Sequence, residues 1–227
     1  QVKAAASTLV EMHNNGKSVV CVVSARGKTT NEIRERIREC GGEHVSERIL
    51  VFGSQAGERE SAASIAAAVE KLGVETFMAD GADIGLIATG EFGYGQAKTV
   101  KRPEIITNAL KAGKIVVLAG YTGVTADGLT MDLGRSGTDT FAVVVAAAIK
   151  ATICQICTDV PGFFAVDPRF VPDARMLRHI NFWQARNWTG SGIEVVKSES
   201  LAVADGLGVP IQVLLSPGFD REPWLDH

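Results

Sequence analysis

The chain has 227 residues, 46% of them hydrophobic, and its 23 Lys plus Arg are nearly balanced by 26 Asp plus Glu. A net charge of −3 gives no electrostatic footprint for nucleic acid, and no run approaches the roughly 18 apolar residues of a membrane span. The opening residues do not predict a secretory leader. We therefore expect a cytoplasmic protein, without nucleic-acid or membrane partners, built as one large domain or two small lobes.

Hydrophobic periodicity in the first half of the chain alternates between amphipathic helices and short, buried strands. It predicts helices over 2–15, 31–40, 44–72 and 103–112, and strands over 18–24, 74–79, 84–88 and 114–119. Continuous runs rich in β-branched residues, such as 18–24, are typical of strands buried on both faces of a parallel sheet. Residues 80–100 contain five glycines, so apart from 84–88 we expect an irregular loop there.

The second half continues the alternation, with longer loops between its elements. It predicts a long loop over 120–137, helices over 138–150, 181–188 and 192–206, and strands over 152–158 and 210–215. Strands alternating with helices indicate an α/β protein, which we expect to be a three-layer αβα sandwich with a mainly parallel central sheet. A boundary near Gly120 divides it into predicted lobes 1–119 and 120–227.

Three loops follow predicted strands, and ligands of open α/β sheets bind beyond the carboxyl ends of strands. The most informative is Leu133-Gly-Arg-Ser-Gly-Thr-Asp139. Its glycines permit tight turns, and Thr138 and Asp139 open a helix whose N-terminus suits a phosphate or carboxylate. Arg135 offers a planar fork for either anion, and Asp139 is placed to orient a nucleophile or a cation. The structural alternative is a helix cap preceded by a glycine turn.

The second loop, 158–169, follows a buried strand and contains the turn Pro161-Gly162. Charged residues beside Phe163 and Phe164 suit a nucleotide, with a ring face for the base and polar groups for ribose and phosphate. The alternative is an ordinary β-turn before a proline-ended loop. The third loop, 24–31, has a Gly-Lys-Thr sequence but Val22 where a Walker loop requires glycine, which argues against a Walker-type kinase.

Metal and nucleophile motifs are absent from the sequence pattern. Cys154 and Cys157 have half of a zinc-site spacing but lie in an apolar run without a second pair, so we interpret them as part of a buried strand. The four histidines are scattered, which favours neither a zinc site nor a serine-type triad. Glu58, taken alone, indicates a solvated first turn of a helix.

Taken in order, these segments resemble the catalytic domain of aspartate kinases, in the amino-acid kinase superfamily, from near residue 2 to near 216. The segment 133–139 is similar to the family's Leu-Gly-Arg-Gly-Gly-Ser-Asp, and 158–169 to its Thr-Asp-Val-x-Gly…Asp-Pro-Arg. Shorter matches are Ser24-Ala25 with Thr30-Asn31 to Ser-Ala…Thr-Asn, Gly57-Glu58 to Gly-Glu, and 119–123 to Gly-Phe-x-Gly.

The resemblance implies transfer of the γ-phosphoryl group of ATP, with Mg²⁺, to the side-chain carboxylate of aspartate or a similar small amino acid. It also implies an amino-acid lobe followed by a nucleotide lobe, and a homo-oligomer. The implied catalytic residues are Asp139 and Arg135. The implied amino-acid site is Thr30, Glu58, Tyr121, Arg135 and Thr138. The implied nucleotide site is Ser24, Gly134, Gly137, Thr158, Asp159, Phe164 and Arg169. No residue is expected to form a separate metal site.

The chain departs from the family pattern in two places. The family's initial strand and Lys-Phe-Gly-Gly-Thr-Ser segment are absent, and we expect their loss to impair transfer and to leave a sheet that self-associates or recruits a partner. Glu194 stands where a nucleotide-side lysine is expected. Paired regulatory domains are not expected after residue 215. Two alternatives stay open: a non-catalytic paralogue that binds an amino acid or nucleotide, and a kinase for another small amino acid.

Overall fold

The computed structural model describes residues 1–134, 137–166, 171, 173–189 and 195–218. Its helices are α1 Val2–Asn14, α2 Thr29–Gly41, α3 Glu47–Ser54, α4 Ala56–Glu70, α5 Pro103–Lys111, α6 Gly137–Ala148, α7 Phe182–Thr189 and α8 Ser198–Leu207. Its strands are β1 Val20–Val23, β2 Thr76–Asp80, β3 Leu86–Thr89, β4 Gln96–Val100, β5 Ile115–Ala119, β6 Thr122–Val124, β7 Thr130–Asp132, β8 Cys154–Thr158 and β9 Ile211–Leu215. A 3₁₀ turn, Gly42–His44, links α2 to the segment before α3.

These strands form three hydrogen-bonded ladders. The first has the order β1-β5-β2 and is entirely parallel, and the third pairs β8 with β9 in parallel. The second has the order β4-β3-β6-β7, in which β3 and β6 are parallel and the two outer pairs are antiparallel. Four of the six strand pairs in the described residues are therefore parallel, which confirms the predicted α/β class with mainly parallel pairing.

The central strand β5 shows how the layers are built. Every residue of its sequence Ile-Val-Val-Leu-Ala is buried, as expected for a parallel strand covered on both faces. Ile115 and Val117 pack in a core with α1 and α4, whereas Val116 and Leu118 pack in a second core with α5 and α6. Helices therefore cover both faces of this sheet, and the αβα arrangement is confirmed at the first ladder.

Helix α6 connects the cores, because it is apolar on nearly all sides. Phe141 and Val144 belong to the core shared with β5, and Val143 and Ala146 belong to a third core with β8, β9 and α8. This double burial fixes α6 between the first and third ladders. Its N-terminus, which carries Asp139, is thereby held near the ends of β1 and β5.

Three segments differ from the sequence prediction. The predicted loop 120–137 contains the hairpin of β6 and β7, and the glycine-rich region 80–100 contains β4 as well as β3. The predicted helix 44–72 is two helices, α3 and α4, separated at Gln55. The missed strands are short or polar, and they are held by pairing with distant neighbours, which periodicity does not report. The division into lobes at residues 119 and 120 stays a prediction.

None of the described helices is both long enough and apolar enough to cross a membrane.

Candidate functional site

A cavity of about 550 Å³ opens where β1 and β5 end and α6 begins. A volume of this size is ordinary for a small-molecule site. The residues lining it are Ser24, Ala25, Thr30, Asn31, Arg34, Glu47, Glu58, Gly93, Tyr94, Tyr121, Asp132, Gly134, Gly137, Thr138 and Asp139. Its position agrees with the rule that ligands of α/β sheets bind beyond the carboxyl ends of parallel strands.

Glu58, in the first turn of α4, is a deeply buried carboxylate in this lining, with only 3% of its surface exposed. Its Oε1 accepts hydrogen bonds from the Ala25 N–H and the Thr30 hydroxyl, both at 3.3 Å. Its Oε2 is buried without a hydrogen-bond partner. Burial raises the pKa of Glu58, and the hydrogen bonds that it accepts only partly offset that effect. A buried, unpartnered carboxylate oxygen facing a cavity is suited to a cationic ligand group.

Tyr121 and Asp132 form a second polar group in the cavity. The Tyr121 hydroxyl donates a hydrogen bond to Asp132 Oδ2 at 2.8 Å, and the Gly93 N–H donates to Oδ1 at 2.7 Å. Asp132 is 2% exposed and ends β7. It therefore ties the segment after β5 to the glycine-containing loop between β3 and β4. Tyr121 adopts a positive φ of 69°, a backbone conformation that a non-glycine residue keeps only when its surroundings enforce it.

An ion pair between α2 and α3 also lines the cavity. The Arg34 guanidinium donates to Glu47 Oε2, and Glu47 lies against Gly93. The Arg34 side chain is only 16% exposed. Its positive charge lies close enough to Tyr121 to act on the ionisation of the phenol. The pair thus places one cation among the carboxylates of the cavity.

Asp139 lies in the first turn of α6 and is half-buried. Burial raises its pKa, and the positive charge of Lys197 acts in the opposite direction. Asp139 also lies near enough to β8 to contribute, after burial, to the raised pKa of Cys154, which is about 11. The carboxylate is therefore placed between the cavity and the third ladder.

The structure brings eight residues of the sequence prediction into one cavity: Ser24, Thr30, Glu58, Tyr121, Gly134, Gly137, Thr138 and Asp139. Three residues predicted for the nucleotide lie outside its lining. At the end of β8, the Thr158 hydroxyl donates a hydrogen bond to Asp159 at 3.0 Å. The backbone of Phe164 forms an isolated antiparallel β-bridge with Met176. Arg135, Arg169 and Glu194 lie outside the described residues. Phe163 is buried in the third core, so its ring is not offered to a ligand.

The local sequence predicted that Glu58 is solvated. This prediction is wrong, because the Glu58 side chain is buried in the lining of the cavity. Sequence reasoning missed Arg34, Glu47 and Asp132. Arg34 lies in the charged helix α2 and Glu47 is the first residue of α3, positions at which charged side chains are usually solvated. The signal that could have identified Asp132 is its position immediately before the 133–139 motif, where it is a carboxylate in a short strand beside a glycine loop. Within the described part of the chain, no cluster of three or more His, Cys, Asp or Glu residues has the arrangement of a metal site.

The sequence profile of the amino acid kinase family matches residues 1–214. The chain belongs to this family. The match confirms the superfamily resemblance inferred from the motifs. This amino acid kinase chain is 37% identical to an aspartokinase of Mycolicibacterium smegmatis over 215 residues, which cover 94% of the chain and 50% of that relative.

Solved structures agree with this placement. The aspartate kinase from Synechocystis superimposes with a TM-score of 0.80 at 30% identity, covering 98% of this amino acid kinase chain and 36% of that one. Aspartokinase III from E. coli, in complex with aspartate and ADP, gives a TM-score of 0.79 at 20% identity, covering 96% and 59%. The latter likeness concerns the fold alone. The chain spans about half the length of the curated relatives that it matches.

Proposed function

We propose that this chain is an aspartate-kinase-like phosphotransferase, which moves the γ-phosphoryl group of ATP to the side-chain carboxylate of aspartate. The proposal rests on the observation that two carboxylates line the same cavity. They are Glu58, whose Oε2 has no hydrogen-bond partner, and Asp139 at the start of α6. The first suits the ammonium of an amino acid, and the second suits the cation that accompanies a transferring phosphoryl group. The similarity to aspartokinases supports the choice of acceptor.

The amino-acid half of the site is assigned to the α2–α4 side of the cavity. The α-ammonium would lie at Glu58 Oε2, where it would supply the donor that this oxygen lacks. Arg135 would pair with a substrate carboxylate, as the family resemblance implies. Thr30 and Thr138 would line the pocket between them. The acceptor carboxylate would then point toward Asp139 and the N-terminus of α6.

The transfer step needs no base, because the aspartate side chain is already ionised at neutral pH. A carboxylate oxygen forms a bond to the γ-phosphorus, the bond from that phosphorus to the β-phosphate bridging oxygen breaks, and ADP leaves with the electron pair. The product is an acyl phosphate. Catalysis of this kind consists mainly of positioning and charge stabilisation. The chain's own contribution would be the helix N-terminus at Gly137 and the orienting carboxylate of Asp139.

Mg²⁺ would arrive with ATP. This ion commonly takes one or two protein carboxylates and completes its shell with phosphate oxygens and water. Asp139 fits that requirement. The ion would supply charge neutralisation at the phosphates. Ser24, Gly134 and Gly137 would face the phosphates, and Thr158, Asp159, Phe164 and Arg169 would hold the nucleoside, as the family resemblance implies.

The test is a hydroxylamine trap, in which an acyl phosphate is converted to a stable hydroxamate while ADP release is followed in parallel. We expect hydroxamate from aspartate and MgATP. Asp139→Asn should lower the rate by about 10²–10³-fold, the usual effect of removing a group that stabilises the transition state, and Arg135→Ala should also lower it. Asp127→Asn, which changes an exposed residue in the β6–β7 turn, is the matched control.

Other outcomes would replace the proposal. Tight aspartate or nucleotide binding without ADP release would favour a non-catalytic binding protein. Hydroxamate formed faster from glutamate or another small carboxylic amino acid would keep the reaction and change the substrate. Homo-oligomer formation, also implied by the family, is tested separately by sedimentation at several protein concentrations.

A further inference from the structure

Asp132 is a buried carboxylate that forms no ion pair among the described residues. It is 2% exposed, and its two oxygens accept hydrogen bonds from neutral donors, the Gly93 N–H and the Tyr121 hydroxyl. Burying a charge with neutral partners costs free energy, and a neutral side chain would fill the same space at a lower cost. The proposed reaction does not use this carboxylate. Its position on the cavity wall suggests that it orients a neighbouring group toward a ligand.

The hydrogen bond to Asp132 determines the polarity of the Tyr121 hydroxyl. A phenol has one proton to donate, and here that proton is directed to Asp132 Oδ2 at 2.8 Å. The lone pairs that remain on the phenol oxygen can only accept. Burial raises the pKa of Tyr121 far above its ordinary range, and Asp132 raises it further, so the phenol keeps its proton at neutral pH. Toward the cavity, Tyr121 is therefore an acceptor.

Glu58 presents a second acceptor to the same space. Its Oε2 is buried and unpartnered, and the negative charge of Glu58 lies near enough to Tyr121 to raise the pKa of the phenol. The Tyr121 and Glu58 side chains line the same cavity. Two acceptors, one of them charged, suit a ligand group that carries several N–H donors and a positive charge. A primary ammonium meets both conditions.

We propose that Tyr121 and Glu58 together form the binding site for the α-ammonium of the substrate, with Asp132 as the positioning residue that keeps the Tyr121 hydroxyl turned to accept. This inference rests on the proposed function for the identity of the ligand. The Tyr121 hydroxyl adds to what the resemblance implies, because the family sequence has phenylalanine at this place in Gly-Phe-x-Gly. Aspartate lacking its amino group, which is succinate, would not use this site.

Asp132→Asn provides an informative perturbation, because the Gly93 N–H is a fixed backbone donor. It requires an oxygen, so the carbonyl of the new amide must face Gly93 and its NH₂ must face Tyr121. The phenol oxygen then accepts from that NH₂, and its own O–H turns toward the cavity. A donor now meets the ammonium. Asp132→Asn should therefore harm aspartate binding more than Tyr121→Phe, which removes the hydroxyl altogether.

The experiment is calorimetric titration of aspartate and succinate into the wild-type chain, Tyr121→Phe, Asp132→Asn and the double variant. Tyr121→Phe should weaken aspartate binding about 10-fold, as expected for one hydrogen bond to a charged group. Asp132→Asn should weaken it more, and the double variant should bind like Tyr121→Phe, because without the hydroxyl there is no donor to reverse. Succinate affinity should be the same for the wild type and Tyr121→Phe.

A merely structural role for Asp132 would give a different pattern. It would weaken aspartate and succinate alike, and its effect would persist in the Tyr121→Phe background; either result overturns the inference. If Asp132→Asn does not fold, judged by circular dichroism, the comparison of aspartate with succinate in Tyr121→Phe still decides. A wild-type chain that binds no aspartate overturns the proposed function, whereas aspartate binding that both variants leave unchanged overturns this inference alone.

Discussion

Glu58→Gln should weaken aspartate binding and at the same time stabilise the fold at neutral pH. The substitution keeps the size of the side chain and one carbonyl oxygen for the two hydrogen bonds from Ala25 and Thr30. It removes the charge from Oε2, the oxygen that has no partner. One hydrogen bond to a charged group contributes about 1.5–3 kcal/mol, which at about 1.4 kcal/mol per factor of ten corresponds to roughly 10- to 150-fold in affinity.

The stability effect has the opposite sign because burial raises the pKa of Glu58 above its ordinary 4.5. A carboxyl with a raised pKa binds its proton more tightly in the folded state. The contribution of Glu58 to the stability of the fold is therefore greatest below pH 4.5, and it is lost as pH rises through the raised pKa. At pH 7 the wild type has lost this contribution, whereas glutamine, which does not ionise, keeps it. Below pH 4.5 the two proteins should have nearly equal free energies of unfolding.

The assay pairs aspartate titration with urea unfolding at pH 7 and at a pH below 4.5. Glu60→Gln is the matched control, since Glu60 lies on the same helix, is 51% exposed and pairs with Arg26 at the surface. That variant should change neither binding nor stability by a large amount. The reasoning is refuted if Glu58→Gln is less stable than the wild type at pH 7, or if it binds aspartate with unchanged affinity.

Four further predictions concern the fold. Gly120→Ala should lower the free energy of unfolding by about 1–3 kcal/mol, because a Cβ there would lie 2.8 Å from the Thr138 side chain. Gly206→Ala, in an open part of α8, should raise the free energy of unfolding by about 0.5–1 kcal/mol. Equal urea midpoints for the two variants would contradict both of these predictions. Burial alone would raise the pKa of Asp80, but the hydrogen bonds and charge of Arg59, together with backbone N–H groups, lower it. This carboxylate therefore stabilises the fold above pH 3.8, and the stabilisation is lost as pH falls through the lowered pKa. Asp80→Asn should therefore cost about 2 kcal/mol in urea unfolding at pH 7, and a deficit that persists undiminished well below pH 3.8 would refute this linkage. Thiol reagents should modify the exposed Cys40 first and Cys154 only on unfolding, because burial raises the pKa of Cys154 to about 11. Peptide mapping that finds Cys154 modified first would disprove this order.

The elements that the sequence predicted well have strong patterns of their own. β5 is a continuous apolar run, and α5 begins with Pro103 in its first turn, where proline is favoured. β4, β6 and β7 were missed because short polar strands depend on pairing with segments far along the chain. The break at Gln55 was also missed, since its φ of −59° and ψ of −16° are nearly helical.

The candidate site divides in the same way. Tyr121 and Asp139 were found because they lie in ordered motifs that resemble a known family. The hydrogen bond from Tyr121 to Asp132 was not, because it joins residues eleven apart through a hairpin that the sequence did not predict. Arg34 and Glu47 meet through the packing of α2 on α3, and each looks like an ordinary surface charge in its own helix. Contacts of this kind become visible only in three dimensions.

The walls of the cavity come from segments scattered between residues 24 and 139, so no local piece of the chain can assemble it. Closing such long loops is an entropic cost that only the finished fold repays. A ligand held there engages the native state and has nothing equivalent to grip in the denatured ensemble. At 100 times its dissociation constant, such a ligand would add about 2.7 kcal/mol to the unfolding free energy, so a shift in melting temperature can screen candidate metabolites without any turnover.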